Sequence, residues 1–158
     1  MSRDASHSGL SHDEERALSS VLDRIIPPSR DGRLPGAGEI GLASHIEEAL
    51  QEAPELRPVI AQGLATLDDL ASGRGSPGFS ALPERDRSEV LRELETAQPG
   101  FFPGLIIRTY AAYYQHARVV EALGLEARPP HPKGYEMEPG DFVSLDGVRA
   151  RPKLYREC

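Results

Sequence analysis

Cysteine and tryptophan are nearly absent from this chain: of its 158 residues one is Cys, the terminal Cys158, and none is Trp. A single thiol cannot build a disulfide framework or a multi-cysteine metal site within one chain, an economy that fits a reducing compartment. Long apolar runs are missing too, and nothing approaches the roughly 18 consecutive residues that a membrane-spanning helix needs. Positive charge is in short supply, with 18 Lys and Arg against 25 Asp and Glu, a net charge of −7 and a pI near 5.2. Such a surface repels phosphate backbones and argues against a nucleic-acid partner. Met1 to Gly9 holds neither a twin-arginine pair nor an apolar h-region, so the chain as it stands is expected in the cytoplasm. The periplasm becomes its place if it is exported with a partner or if a leader has been removed.

The chemical motifs are equally sparse. Five histidines occur, and His45 and Glu48 stand three apart, but a ferritin-like site needs several Glu and Glu-x-x-His pairs on facing helices. No Gly-x-Ser-x-Gly elbow is present. The Gly73, Gly75 and Gly78 cluster lacks the Walker lysine and any strand-helix context, so it reads as a linker. Paired acids such as Glu14/Glu15, Glu47/Glu48 and Asp68/Asp69 are adjacent, which on a helix turns them about 100° apart; they read as solvated faces. Tyr110, Tyr113, Tyr114 and His116 with Arg108 form the one catalytic-looking cluster. Tyrosine hydroxyls on a helix more often satisfy the edge of a core or an interface than line a catalytic pocket.

What the chain does have is helical periodicity and a proline-interrupted end. Ser11 and Glu14 have capping-box spacing, and Leu18, Val21, Leu22 and Ile25 recur at helical intervals until Pro27-Pro28, predicting a first helix. A loop rich in Gly and Pro follows over 29–38. A second helix is predicted near 39–52, a third over 55–72 with Pro58 in its first turn, and a fourth with Pro83 at its first position. A fifth is predicted from Gly104 to Leu123, stopped by Gly124. Its apolar arc is so wide that it implies a central helix packed on more than one side. No repeat and no convincing strand is visible; Asp141 to Val148 offers at most a short edge hairpin at Asp146-Gly147.

From Leu125 on, Pro129, Pro130, Pro132, Pro139 and Pro152 forbid a continuous helix or a central strand. Tyr135, Met137, Phe142, Val143, Leu145, Val148, Leu154 and Tyr155 are spaced among them as isolated anchors, which a disordered tail would not carry. The expectation is an extended strap that lies on the chain's own helices or on another protein. The last ten residues carry +3 and the remainder −10, so a basic end could fold back on an acidic body or stay solvated. The fold class is therefore mostly α, with about five helices in an irregular bundle and a long extended Pro/Gly-rich C-terminal arm. The boundaries are a flexible N-terminus at 1–10, a helical domain at 11–124 and the strap at 125–158.

Several short segments, taken in order, resemble the gluconate 2-dehydrogenase subunit 3 family, the small subunit of flavin-dependent sugar and gluconate dehydrogenases. They are Leu22-Asp23-Arg24-Ile25-Ile26-Pro27-Pro28, Pro35-Gly36-Ala37, Phe101-Phe102, Arg108-Thr109-Tyr110, Tyr113-Tyr114, Ala122-Leu123-Gly124, and Arg128-Pro129-Pro130-His131-Pro132-Lys133-Gly134-Tyr135. The resemblance implies a non-catalytic accessory subunit that binds, stabilises or helps mature a large FAD-dependent dehydrogenase of the glucose–methanol–choline type. It implies no cofactor in this chain, FAD in the partner, and a cytochrome c subunit as a further partner. Many relatives begin with a twin-arginine leader, and this chain does not.

Large aromatic anchors with arginine are the usual hot spots of an interface. The candidate partner-binding residues are accordingly Phe101, Phe102, Arg108, Tyr113, Tyr114, Tyr135 and Tyr155, unless they close this chain's own core. Two other readings stay open: a small-molecule or catalytic pocket around Tyr110, Tyr113 and His116, and a helical scaffold that associates with itself.

Overall fold

The structure, a computed structural model, describes residues 10–128, 131, 133–134 and 136–152. The chain divides into two compact units, Met1–Ala127 and Arg128–Cys158. Among the described residues it holds seven α-helices and no strand.

The first unit begins with α1, His12–Ile25, whose capping box forms as its spacing predicts. Glu14 N–H donates to Ser11 Oγ at 3.3 Å and Ser11 N–H to Glu14 Oε2 at 2.8 Å, so two of the donors that a helix start leaves unmatched are satisfied reciprocally. Helix α2, Leu42–Glu52, starts three residues later than predicted because Gly41, its N-cap, sits at φ +73° in the left-handed region. Helix α3 spans Leu56–Ser72 and α4 spans Glu84–Ala97, with Pro83 as the cap of α4 rather than its first residue.

Between α3 and α4 the linker does more than connect. A 3₁₀ turn at Phe79–Ala81 buries Phe79 completely, and Phe79 N–H donates to Asp68 Oδ1 at 3.1 Å. Asp68 is thus a tie for the linker and not simply part of a solvated face.

The predicted fifth helix is two helices: α5, Phe101–Gln115, and α6, Ala117–Ala122, separated by His116 in an extended conformation with ψ 131°. Helix α5 also starts earlier than expected. Pro103 is its third residue, where the missing N–H would have had no intrahelical acceptor. Gly124, at φ +80°, ends the run as predicted.

Leu18, Val21 and Leu22 of α1, Ile46 and Leu50 of α2, Leu64 and Leu67 of α3, Leu94 of α4, and Phe101, Leu105 and Tyr113 of α5 meet in one core. Each such side chain contributes roughly 1.5–3 kcal/mol by leaving water. Helix α5 packs against α1, α2 and α3. The crossing with α3 depends on Gly63, where a Cβ would collide with the ring of Phe101.

In the second unit Arg128 donates to the Gly134 carbonyl at 2.6 Å. Where the sequence offered at most a short edge hairpin there is a 3₁₀ turn, Val143–Leu145, running into α7, Asp146–Arg149. Asp141 Oδ1 accepts from Val143 N–H at 2.9 Å, a local side-chain bond that favours a turn over strand pairing. Met137, Phe142, Val143 and Val148 are exposed.

Candidate functional site

Helix α5 organises the surface that matters. Its buried residues, Phe101, Leu105, Thr109 and Tyr113, recur every four positions and form one narrow inner stripe. Thr109 is tolerated there because its hydroxyl donates to the Leu105 carbonyl at 2.7 Å. Tyr113 is likewise satisfied, donating to the Pro35 carbonyl at 2.8 Å. Burial holds the Tyr113 phenol above its ordinary value, so it stays a neutral donor.

That bond fastens the Pro35–Gly41 loop from one side, and Asp23 of α1 fastens it from the other. Asp23 Oδ1 accepts from Gly38 N–H at 2.7 Å. The fit leaves no space for side chains: a Cβ at Gly36 or Gly38 would collide with the Asp23 carboxylate. Burial pushes the Asp23 carboxyl up from its ordinary value, opposed by the N–H groups of Gly38 and Glu39. The segments Leu22–Pro28 and Pro35–Ala37, separate in sequence, are therefore one joint.

The opposite face of α5 is apolar as well, and the first unit does not cover it. Ile107 is 71% exposed, Tyr114 52% and Tyr110 44%. Tyr110 and Tyr114 stack, with centroids 6.1 Å apart and planes 20° apart, and the Tyr114 ring meets Tyr113 edge-on at 5.2 Å. Helix α5 is packed by α1, α2 and α3, as its wide apolar arc predicts, yet part of that arc stays exposed.

Between the two stripes, Gly104 and Arg108 stand one turn apart at the edge of an apolar cleft. Ile46 and Leu50 of α2 and Leu56 and Val59 of α3 form its other walls. Its volume is only about 10 Å³, so its own walls nearly fill it. Arg108 is half-buried, and among the described residues it has no hydrogen-bond or ion-pair partner.

The residues proposed from sequence are thus dispersed. Phe101 and Tyr113 belong to the core. Phe102 is half-buried and packs edge-on against Phe101 at 5.1 Å. Tyr114 and Arg108 face outward or line the cleft. Tyr135 and Tyr155 lie outside the described residues. Tyr110, Tyr113 and His116 do not converge on one space: the first is exposed, the second is buried in the core, and the third breaks the helix. His116 lies edge-on to His45 at 6.5 Å, and among the described residues no group of three His, Cys, Asp or Glu could hold a metal. Ile107 and the cleft went unrecognised in the sequence; the surplus of apolar positions on α5 was their only signal.

A helical body without strands among the described residues places the chain among the mostly α-helical proteins. More particularly, the chain belongs to the gluconate 2-dehydrogenase subunit 3 family, whose family model matches residues 12–138 and so takes in α1 to α6. No curated protein and no solved structure matches it significantly.

Proposed function

We propose that this chain is a non-catalytic accessory subunit that binds and stabilises a large FAD-dependent dehydrogenase of the glucose–methanol–choline type, docking through the outer stripe of α5. The observation that carries this reading is the exposure of Ile107, Tyr110 and Tyr114 side by side on a helix inside the family-matched region. Aromatic residues of this kind dominate interface energetics once water is excluded from around them. FAD and the oxidation chemistry belong to the partner in this reading, and a cytochrome c subunit accepts the electrons. The complex assembles in the cytoplasm, and the periplasm is its destination where the partner is exported.

The test is co-expression of the tagged chain with a flavin-dependent dehydrogenase of the glucose–methanol–choline type from the same organism. The wild-type chain is expected to capture a flavin-loaded large subunit, and Ile107→Asp combined with Tyr114→Asp is expected to abolish capture. Equal capture by both would overturn the reading. Gluconate oxidation by the isolated chain with an artificial acceptor would contradict the non-catalytic assignment.

A further inference from the structure

We infer that α6 is a hinged flap, seated on the body through Val119, which swings about His116 to continue α5 as one uninterrupted helix. This is a property of the chain alone, and it does not depend on the accessory-subunit reading.

The bend has no local cause. Sharp kinks in helices arise at proline, at glycine or serine, at π-bulges, or where a side chain or water enters the hydrogen-bond ladder. No Gly, Pro or Ser occurs from Leu105 to Leu123. The φ of His116, −70°, is already helical, so the departure from α5 geometry lies in its ψ of 131°. A tertiary contact, not the sequence at the hinge, holds the chain bent.

Each side of the hinge is closed on itself. The His116 carbonyl accepts from Val119 and Val120 N–H at 2.9 and 3.0 Å, and Gly124 and Leu125 N–H close the far end of α6 on the Glu121 and Val120 carbonyls. The flap can therefore move as one piece. Straightening would also give the N–H groups that start α6 acceptors among the last carbonyls of α5, groups that a break leaves unmatched within either helix.

Little opposes that movement. Of the six residues of α6, Val119 alone is buried. The far end is tied by Arg33, which donates to the Ala122 carbonyl at 3.3 Å beside an open cleft of about 210 Å³ between Leu34 and Leu123. Such a cleft has room for several waters at roughly 30 Å³ each, so side-chain packing scarcely holds α6 there. The bent form also carries a cost, because Nδ1 of His116 is buried without a hydrogen-bond partner among the described residues. One buried valine and one long hydrogen bond, set against newly paired backbone groups, leave the two forms close in free energy. A partner that binds either form more tightly draws the equilibrium toward it.

The experiment uses the complete chain carrying Cys158→Ser, with nitroxide labels at Ile107→Cys and Glu121→Cys, both on exposed positions. Pulsed electron spin resonance reads the distance between them. In a continuous helix these positions stand about 21 Å apart, and any bend brings them closer. The expected background is a major shorter distance with a minor one near the helical value. Val119→Ser is expected to raise the ratio of long to short about tenfold, the size of effect that losing one buried apolar side chain produces. His116→Ala, which favours helix at the hinge, is expected to raise it about twofold. Circular dichroism should show helical content kept or increased in both. An unchanged short distance in both variants would overturn the inference. So would a broad distribution with lost helicity in a Val119→Ser chain that is otherwise folded, since α6 would then be melting and not swinging. Should Val119→Ser fail to fold, His116→Ala decides alone, and the absence of any shift in it overturns the flap.

Discussion

The inner and outer stripes of α5 come from the same fifteen residues and look alike as sequence, yet one is buried and the other bare. Hydrophobicity does not separate them, because the buried stripe contains a threonine and the bare one an isoleucine. What separates them is what stands opposite. Phe101 meets the empty Cα of Gly63, and Tyr113 meets the Pro35 carbonyl. Burial here follows complementarity of shape and hydrogen bonding across elements far apart in sequence, and the stripe without such a counterpart in the first unit stays exposed.

The strongest way to break the contrast is to spoil the inner stripe. Phe101→Ala is expected to cost about 3–5 kcal/mol by opening a cavity at the α3–α5 crossing. Gly63→Ala should be damaging for the opposite reason, since its new methyl group would occupy the space of the Phe101 ring. Urea denaturation checks both. Combining Gly63→Ala with Phe101→Leu should recover part of the loss, because the two residues share one contact.

The joint that anchors the end of the inner stripe comes next. Asp23→Ala leaves Gly38 N–H without its acceptor and should cost about 1–3 kcal/mol, whereas Asp23→Asn keeps an oxygen in place and should cost less. The folded chain holds the Asp23 proton more tightly than the unfolded chain does, since burial raises its value above 3.8. The stability that Asp23 contributes through titration is therefore greatest at acid pH and declines as pH rises through the carboxylate range. The stability difference between wild type and Asp23→Asn should fall over that range and then level off. Asp31 works the other way: hydrogen bonds from Ser29 and from Arg33 N–H lower it. Its stabilisation is lost as pH falls, and it cancels from the difference because both proteins carry it.

Tyr113→Phe is smaller, about 1–2 kcal/mol, because it removes the hydroxyl that donates to the Pro35 carbonyl and little packing. The phenol is raised by burial above the ordinary value of 10.0. Wild-type stability should thus decline as pH climbs past about 10, where the unfolded chain ionises first. In Tyr113→Phe that alkaline slope should be reduced, which denaturation at pH 9 and 11 would show.

Much of the fold was legible because it is written in local chemistry. The Ser11/Glu14 box, the 3.6-residue pattern of α3 and the stop at Gly124 involve neighbours along the chain. The features that escaped are those settled by distant groups. Gly41 delays α2 within a loop held by Asp23 and Tyr113, and Phe79 turns a linker into core through Asp68. The break at His116 interrupts a pattern that stays apolar on both sides. For the candidate site, Arg108 and Tyr114 could be named from residue type. Phe101 and Tyr113 shared that type, and only the position of Gly63 and Pro35 assigned them inward.

The smallest expected change in stability is also the sharpest test of the contrast. Ile107→Ser and Tyr114→Ser remove apolar groups that are already mostly in water, so each should alter unfolding free energy by no more than about 0.5 kcal/mol. Tyr114 stacks on Tyr110, and the loss of that partly exposed pair should keep its variant toward the upper end of this range. Equivalent truncation on the inner stripe is several times more costly, so stability alone would rank the outer residues as dispensable. Capture of the flavoprotein should rank them in reverse, with both serine variants impaired and Tyr113→Phe close to wild type once folded. If instead the serine variants melted several degrees lower and bound normally, the outer stripe would be supporting the fold, and the division of α5 into a structural face and a docking face would fail.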